Sequence, residues 1–302
     1  MAIGIFGGYI YLKLAEGLNL FRDRVSPDKI RGGGVVLLPV ILWYLAKSVS
    51  GYHNLMAAIT VLIAIVGLWD DYRGVSGYVK AGITLLVGLV ILWFLGWVIP
   101  IRILGYEVYV PIFNEVFWLL FFMGFVNAFN VIDGRDGVLL TTSLILLAYL
   151  YLLTADIMYL HVAAVAAGLL VWNTPPARLI MGDVGSYVLG TFITASFLTL
   201  SHIPVEARLL ALSFPLMDTL TTIARRLSRR QSIFQADTEH IHHVLYSRFG
   251  DRRGLLLIML INLASVGLSA LYLKVGPSIL PLGLVWWALL AAISFILPKR
   301  PS

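Results

Sequence analysis

Eleven apolar runs follow one another along this chain, and each is about as long as a helix that crosses a lipid bilayer. Of the 302 residues, 60% are hydrophobic and 13% are charged, which is too apolar for the interior of a soluble fold of this size. Continuous apolar runs without alternation favour membrane helices over a barrel. The runs cover residues 2–20, 34–51, 54–69, 81–99, 114–130, 138–154, 157–173, 185–201, 207–224, 254–273 and 279–297. We therefore predict an all-α integral membrane protein with about eleven transmembrane helices in one polytopic domain, residues 1–302.

The cationic residues predict the orientation of these helices. If segments 21–33, 70–80, 131–137, 174–184, 225–253 and 298–302 share one side, that side carries 17 of the 22 Lys and Arg residues. The positive-inside rule makes it cytoplasmic, with the N-terminus outside and the C-terminus inside. The net charge of +6 then reports topology, and we expect no nucleic-acid partner. The first run has no signal-peptide cleavage pattern, so we expect it to remain as a span.

Two connecting segments stand out between the runs. Residues 225–253 form the longest hydrophilic segment and are predicted to be a long cytoplasmic loop. Residues 100–112 alternate apolar and polar side chains around Gly105, which predicts a small external hairpin.

The acidic residues are concentrated on the predicted cytoplasmic side, which holds ten of the 16 Asp and Glu residues. Carboxylates have little influence on topology, so their placement there needs another cause. A site for a polyanion and a divalent metal would place carboxylates and cations together. We therefore expect the active-site loops to face the cytoplasm, in a multi-pass protein of the cell membrane.

A pair of adjacent carboxylates, Asp70 and Asp71, ends the third run. Acidic groups at a helix C-terminus oppose the macrodipole and repel each other. A solvated helix end, compensated by Arg73 and Lys80, is one interpretation. The alternative is a site for metal or phosphate, where a bound cation reverses the penalty.

A second group of polar residues lies at the end of the fifth run and in the turn that follows it. Asn127 and Asn130 lie three residues apart on one helix face, and Asp133 and Asp136 continue that spacing into a glycine-containing turn. Amides are unfavourable next to lipid, so this face is predicted to point into the bundle or a cleft. Asp136 as the N-cap of the next helix is the simpler alternative, but it accounts for only one of the four residues.

Asp183 precedes the eighth run, within the segment Met181-Gly-Asp-Val-Gly-Ser186. Asp is a preferred N-cap residue, so capping is one interpretation. A helix N-terminus also offers free N–H groups to anions, so a metal and phosphate site is an equally good interpretation of Asp183.

Three histidines, His240, His242 and His243, lie in the long cytoplasmic loop close to carboxylates. On a helix, His240 and His243 would share a face and His242 would point away. The spacing lacks the HExxH pattern of zinc sites, and the carboxylates favour Mg²⁺ or Mn²⁺. The histidines are then predicted to bind phosphate or sugar oxygens.

A run of glycines with flanking cations, from Lys29 and Arg31 to Gly34, precedes the second apolar run. Glycine-rich segments beside cations bind phosphate through backbone N–H groups. Packing is the alternative interpretation.

The order of these motifs resembles the polyprenyl-phosphate N-acetylhexosamine-1-phosphate transferases, the superfamily of MraY and the WecA/TagO-type enzymes. The resemblance extends from about residue 20 to residue 253. The segment Ala236–His243, which follows Asp218, looks like the WecA/TagO branch. The family usually has Leu where this chain has Arg135.

The resemblance implies that a membrane-held polyprenyl phosphate, such as undecaprenyl phosphate, attacks the β-phosphorus of a UDP-N-acetylhexosamine. The products would be UMP and a polyprenyl-diphosphate-sugar that initiates a cell-envelope glycan, with GlcNAc as the expected sugar. Both direct attack and a covalent aspartyl route stay open, as does the oligomeric state, a homodimer included.

The resemblance also implies roles for the residues named above. The catalytic group comprises Asp70, Asp71 and Asp136. The ligands of Mg²⁺ (or Mn²⁺) are Asp183 with Asn127 or Asp133. The substrate-binding residues are Asn130, His240, His242, His243, Arg31 and Lys29.

Two other classes of protein compete with this interpretation. A secondary transporter would place carboxylates near the bilayer midplane, where Asp218 is the main candidate. A CDP-alcohol phosphotransferase would need an Asp-Gly-x-x-Ala-Arg signature, but here Asp133-Gly134 is followed by Arg135-Asp136-Gly137.

Overall fold

A computed structural model describes residues 1–18, 20–23, 26–47, 51–96, 99–232 and 239–296. The predicted C-terminal cytoplasmic segment 298–302 and residues 236–238 of the histidine motif lie outside them. Within the described ranges the chain forms thirteen α-helices: α1 (Ala2–Gly17), α2 (Leu38–Lys47), α3 (Gly51–Arg73), α4 (Gly77–Phe94), α5 (Phe113–Ile132), α6 (Val138–Thr154), α7 (Ile157–Asn173), α8 (Gly182–Thr199), α9 (Val205–Ala211), α10 (Ser213–Ser228), α11 (Ile241–Phe249), α12 (Asp251–Val275) and α13 (Leu280–Ile296).

Each predicted apolar run overlaps a helix of the structure, and the ninth overlaps the pair α9 and α10. Within the part of the chain that the structure describes, five helical segments are long and apolar enough to cross a membrane: Asn54–Arg73, Gly77–Phe94, Phe113–Ile132, Asp251–Val275 and Pro277–Ile296. Three shorter apolar segments accompany them, Gly33–Lys47, Val138–Thr154 and Ile157–Asn173. The predicted class, an all-α membrane protein, is confirmed at this level.

Helix α8 lies at the centre of the bundle and is buried at every residue from Gly182 to Leu198. Helices α3, α5 and α6 and the 3₁₀ turn Gly33–Leu37 pack around it. Two glycines allow the main chains to touch. A Cβ added at Gly34 would lie 2.1 Å from the Gly185 α-carbon, and one at Gly67 would lie 2.5 Å from the Val184 α-carbon. Small residues of this kind let membrane helices approach closely.

The predicted hairpin is confirmed within segment 100–112. Strands β1 (Ile101–Ile103) and β2 (Tyr106–Val108) pair antiparallel, with Ile103 opposite Tyr106. The two turn residues between them, Leu104 and Gly105, both have positive φ, as a tight two-residue hairpin turn requires.

Buried charges on α9 hold this region together. The Leu104 N–H donates to Glu206 Oε1 at 2.6 Å. Arg208, only 1% exposed, donates to the carbonyls of Leu200 (2.7 Å) and Ile203 (3.0 Å) and lies over the Trp118 ring. Main-chain groups therefore satisfy much of the charge at this end of the bundle.

Candidate active site

A cleft of about 570 Å³ opens where α5 ends and α8, α11 and α12 begin. Its lining is rich in charged side chains and includes seven of the predicted site residues. These are Lys29, Arg31, Asn130, Asp133, Asp136, Asp183 and His243. The cleft therefore gathers groups from four segments that lie far apart in the sequence.

Asp183 lies in the first turn of α8, on the border between the buried bundle and the cleft. Asn130 Nδ2 donates to Asp183 Oδ1 at 3.1 Å and to Ser186 Oγ at 2.9 Å. Arg31 Nη2 lies 3.6 Å from Asp183 Oδ1, and Lys80 forms an ion pair with the same carboxylate. Asp183 does not cap its own helix, so the N-cap interpretation of this residue is wrong.

The cap of α8 comes from α3 instead. Asp71 accepts hydrogen bonds from the N–H groups of Asp183 (3.0 Å) and Val184 (3.3 Å), and Arg31 Nε donates to it at 3.1 Å. The free N–H groups at the start of α8 favour a carboxylate there. Asp71 thus fixes α8, and with it Asp183, relative to α3.

Asp70, the neighbouring carboxylate, has a different environment. It accepts from the Val75 N–H and forms an ion pair with Lys80, which also binds Asp183. Ile63, Val66 and Ile83 lie beside Asp70 and Lys80 in a second, small and mainly apolar pocket. The solvated-end interpretation of this carboxylate pair is therefore wrong, because both residues are buried and bonded.

The charges around Asp183 do not balance. Arg31 and Lys80 are shared among four carboxylates, those of Asp23, Asp70, Asp71 and Asp183. Asp23 also has other partners, so it is left out of the balance. Asp70, Asp71 and Asp183, with Asp133 on the same cleft, then exceed the two cations by two negative charges when all are ionised. A divalent cation would neutralise this excess, and oxygen donors of this type suit Mg²⁺ or Mn²⁺.

The turn after α5 brings two more carboxylates to the cleft. Burial raises the pKa of Asp133 well above its usual value, and Arg31 and the Gly182 N–H offset this only in part. A nearby cation would favour the ionised form. Asp136 accepts from Lys29 Nζ at 2.9 Å and from the Ala177 N–H at 2.9 Å. The N-cap of α6 is Gly137, which gives no side-chain cap, so the capping interpretation of Asp136 is wrong.

The three histidines lie in two environments, but the grouping is not the one predicted, in which His240 and His243 share a helix face. His240 is the extended N-cap residue of α11, so it does not share a helical face with His243. His240 and His242 both contact the buried Asp218, while His243 lines the cleft and accepts from Arg135 Nε at 3.0 Å. Burial, His242 and Arg135 lower the pKa of His243 to about 2, so its imidazole is neutral.

The glycine run before α2 does not form a phosphate site. The N–H groups of Gly33 and Gly34 donate to the carbonyls of Ile180 (3.0 Å) and Met181 (3.1 Å). Because these amides are used inside the protein, the glycine run serves packing and is not a phosphate cradle. The cations of the same segment, Lys29 and Arg31, bind carboxylates of the cleft.

Among the described residues, Asn127 is a predicted site residue whose side chain makes no hydrogen bond to the other predicted site residues. It donates to the Met123 carbonyl of its own helix at 2.7 Å and is absent from the described lining of the cleft. Asn130, one turn further on, contacts Asp183 instead.

Sequence analysis missed two residues. Lys80 was treated only as a compensating charge, although it bridges Asp70 and Asp183. Asp218 was considered only as an isolated intramembrane carboxylate, although it is the partner of two histidines. These histidine contacts account for Asp218 without the ion coupling of a transporter.

The helical membrane fold and the carboxylate-rich cleft define a membrane protein with a charged site at one end of its bundle. Residues 53–201 match the family model of glycosyl transferase family 4. The chain is 30% identical over 278 residues to a probable undecaprenyl-phosphate N-acetylglucosaminyl 1-phosphate transferase of Bacillus subtilis (83% of this chain, 74% of the relative). The protein belongs to this family, which confirms the resemblance seen in its motifs.

Two further relatives are similar to this chain over most of its length. An undecaprenyl-phosphate alpha-N-acetylglucosaminyl 1-phosphate transferase of Thermotoga maritima is 29% identical over 244 residues, covering 80% of this chain and 79% of the relative. A phospho-N-acetylmuramoyl-pentapeptide-transferase of Carboxydothermus hydrogenoformans is 27% identical over 280 residues, covering 82% and 85%.

Proposed function

We propose that this protein transfers an N-acetylhexosamine-1-phosphate, with GlcNAc-1-phosphate as the favoured group, from a UDP-sugar to a polyprenyl phosphate. The products are UMP and a polyprenyl-diphosphate-sugar that starts a cell-envelope glycan. The names of the Bacillus and Thermotoga relatives support the reaction and undecaprenyl phosphate as the acceptor. The observation that carries the proposal is the excess of carboxylates over cations around Asp183, in a cleft large enough for a nucleotide sugar.

The acidic residues fit a divalent metal. Asp183 would be the leading ligand of Mg²⁺ or Mn²⁺, and Asp133, on the same cleft, would be its companion. When bound, the cation would neutralise charge on the diphosphate. Asn127 remains a predicted ligand, although its amide donates to its own helix.

Asp70 and Lys80 are suited to receive the acceptor lipid. A phosphate monoester has a second pKa near 6, so it is largely ionised at neutral pH and needs no strong base. Lys80 would bind this phosphate when the ligand displaces one of its two carboxylates, and Asp70 would orient it. The apolar side chains of Ile63, Val66 and Ile83 beside them suit the start of a polyprenyl chain.

The far side of the cleft is suited to the nucleotide sugar. Asn130 and Asp136 would contact the nucleotide, and Asp136 is held by Lys29 and by the Ala177 N–H. His243 and Arg135 would contact the diphosphate, together with His240 and His242. Positioning and neutralisation of charge dominate phosphoryl transfer, so these contacts would supply most of the rate enhancement.

The membrane arrangement is part of the proposal. Eleven spans, with the N-terminus outside, the C-terminus inside and the cleft open to the cytoplasm, are supported by the overlap of helices with the eleven apolar runs and by the distribution of Lys and Arg. Substrate access fits this orientation, because nucleotide sugars and the charged cleft would share one side.

The test is a membrane assay with radiolabelled UDP-GlcNAc, undecaprenyl phosphate and Mg²⁺. We expect UMP release, formation of a lipid-linked sugar and inhibition by tunicamycin. Membranes without the protein are the control for background transfer. If the purified, folded protein releases no UMP with UDP-GlcNAc or with other UDP-N-acetylhexosamines, the proposed function is wrong.

A further inference from the structure

The hairpin at the end of the bundle opposite the cleft has one apolar face and one charged face. Ile103 pairs with Tyr106, and Arg102 pairs with Glu107. Successive residues of a strand point to opposite faces. Ile103 and Tyr106 therefore share one face, and the ion pair between Arg102 and Glu107 (2.9 Å) lies on the other. Tyr106 is 74% exposed, and Ile103 is exposed as well.

At the base of the hairpin, the apolar face is directed toward the bundle. Ile101, which pairs with Val108 on this face, is buried. The preceding Ile99 carbonyl accepts from Trp118 Nε1 of α5 at 2.9 Å. Toward the turn, the described residues leave the same face uncovered at Tyr106. Whatever surrounds the bundle at this height therefore contacts an apolar surface.

The turn of the hairpin does not rise above the end of the bundle. The Leu104 N–H donates to Glu206 Oε1, and the carbonyl of the next residue, Ala207, accepts from Ser269 Oγ at 2.6 Å. Ser269 precedes Val275, the last residue of α12, by six residues, which is about 9 Å along a helix. Because α12 is long and apolar enough to cross a membrane, the turn lies level with the last turns of a span.

The apolar surface continues from the hairpin onto α5. Ile112 is 77% exposed, and Phe113, the first residue of α5, is exposed too. Val116 and Leu120 follow on α5 at helical spacing and are also exposed. Helix α5 is a candidate span, so its exposed apolar side chains face lipid. We call the exposed apolar residues at this end the hairpin patch: Ile103, Leu104, Tyr106, Ile112 and Phe113.

We propose that the hairpin patch is a lipid-binding surface, seated in the interfacial region of the leaflet opposite the cleft. Its side chains contact the glycerol and first acyl carbons of phospholipids, and Arg102 and Glu107 face the water. Tyrosine is enriched at this level of membranes. The free strand edges of the hairpin need water or headgroups as partners, which excludes the hydrocarbon core and favours the interface. Through the bond from Leu104 to Glu206, this contact also sets the height of α9.

The experiment uses the absence of cysteine from the chain, because each introduced cysteine is then labelled uniquely. Tyr106→Cys and its matched control Glu107→Cys place a nitroxide on opposite faces of β2, in vesicles of phosphatidylcholine and phosphatidylglycerol. We expect the ratio of collisions with oxygen to collisions with Ni(II)-EDDA to be at least about threefold higher at 106 than at 107. Leu260→Cys, exposed on α12, gives the value for a lipid-facing position.

Ile103→Cys and Arg102→Cys repeat the comparison on β1 and decide the matter if a label on β2 disturbs the hairpin. Thermal unfolding equal to that of the wild type shows that a labelled variant is folded. A ratio at 106 and 103 no higher than at 107 and 102 would place the apolar face in water and overturn the proposal. Dipolar broadening between labels at 106 would show a second copy of the chain on this face, which would also overturn it.

This test does not use the transfer reaction. Its outcome is therefore distinguishable from success or failure of the proposed function.

Discussion

Buried charges lie at both ends of the helical bundle, but they are satisfied in different ways. At the cleft, Arg31 and Lys80 are shared among four carboxylates, so each charge has charged side chains as partners, although Asp23, Asp70 and Asp71 also accept from backbone N–H groups. Near the hairpin, Arg208 donates to two carbonyls and Glu206 accepts from a backbone N–H. The two ends are far apart, because Asp251 lines the cleft while Ser269, on the same helix α12, donates to the Ala207 carbonyl, and 18 helical residues span about 27 Å.

The difference indicates which buried charges take part in the reaction and which stabilise the fold. A charge bonded to the main chain has one arrangement, and breaking it disturbs the fold. Charges shared between side chains, with carboxylates in excess, can change partners when a metal or a phosphate arrives. We therefore expect substitutions at the cleft to affect activity, and substitutions near the hairpin to affect stability.

The largest effect is expected for Asp183→Asn. It removes the charge at the centre of the acidic network, so Mg²⁺-dependent UMP release should fall by at least about 10³-fold, or about 4 kcal/mol of transition-state stabilisation. The amount of folded protein should not change, as checked by size-exclusion chromatography in detergent. Glu206→Gln at the other end is the matched control and should keep its activity per folded molecule; activity of Asp183→Asn within tenfold of the wild type would remove the metal assignment.

Arg208→Met should have the opposite effect, a loss of stability without a loss of activity. It leaves the carbonyls of Leu200 and Ile203 without their donor, so the free energy of unfolding should fall by about 2–4 kcal/mol. Activity per folded molecule should stay unchanged. Thermal unfolding in detergent and the transfer assay measure the two quantities, and a loss of activity without a loss of stability would break the comparison.

Asp71 belongs to both categories of charge, since it lies in the acidic network of the cleft and also bonds the main chain as the cap of α8. Asp71→Ala should lower the free energy of unfolding by about 1–2 kcal/mol, and Asp71→Asn should lose less because its side-chain oxygen still accepts a hydrogen bond. Thermal unfolding compares the two variants directly. Equal stability for both would show that the cap contributes nothing.

The smallest effect is expected from the metal alone. A site that binds Mg²⁺ only in the folded protein should raise the free energy of unfolding by about 1.4 kcal/mol when free Mg²⁺ is ten times its Kd. This stabilisation should persist in Arg208→Met and vanish in Asp183→Asn. Thermal unfolding with and without EDTA measures it. An equal Mg²⁺ effect in Asp183→Asn would place the cation elsewhere.

The grouping of site residues could be predicted because membrane topology restricts where span ends lie. Asp133, Asp136 and Asp183 follow or precede apolar runs that end on one side, so helix lengths alone bring them near one plane. The structure then places all three on one cleft. The hairpin at 101–108 could also be predicted, because the alternating pattern and Gly105 that specify it lie within a dozen residues of sequence.

Individual partners could not be predicted, because they depend on how helices pack. Asp71 bonds the backbone of Asp183, 112 residues away, and Lys80 meets Asp183 across 103 residues. Nothing in the pattern around Asp218 indicates that α11 turns two histidines toward it. The glycines from Gly32 to Gly34 have a composition that fits both packing and phosphate binding, and only the carbonyls opposite decide between them.

The contact between main chains at Gly34, Gly67 and Gly185 has a consequence for how substrate preference changes among relatives. At these glycines the backbone of α8 rests directly on α3 and on the turn Gly33–Leu37, and side-chain rotamers cannot adjust that contact, so Asp183 keeps a fixed height relative to α3. We expect differences in sugar preference to arise instead at side chains that line the cleft away from these glycines, such as Ile180.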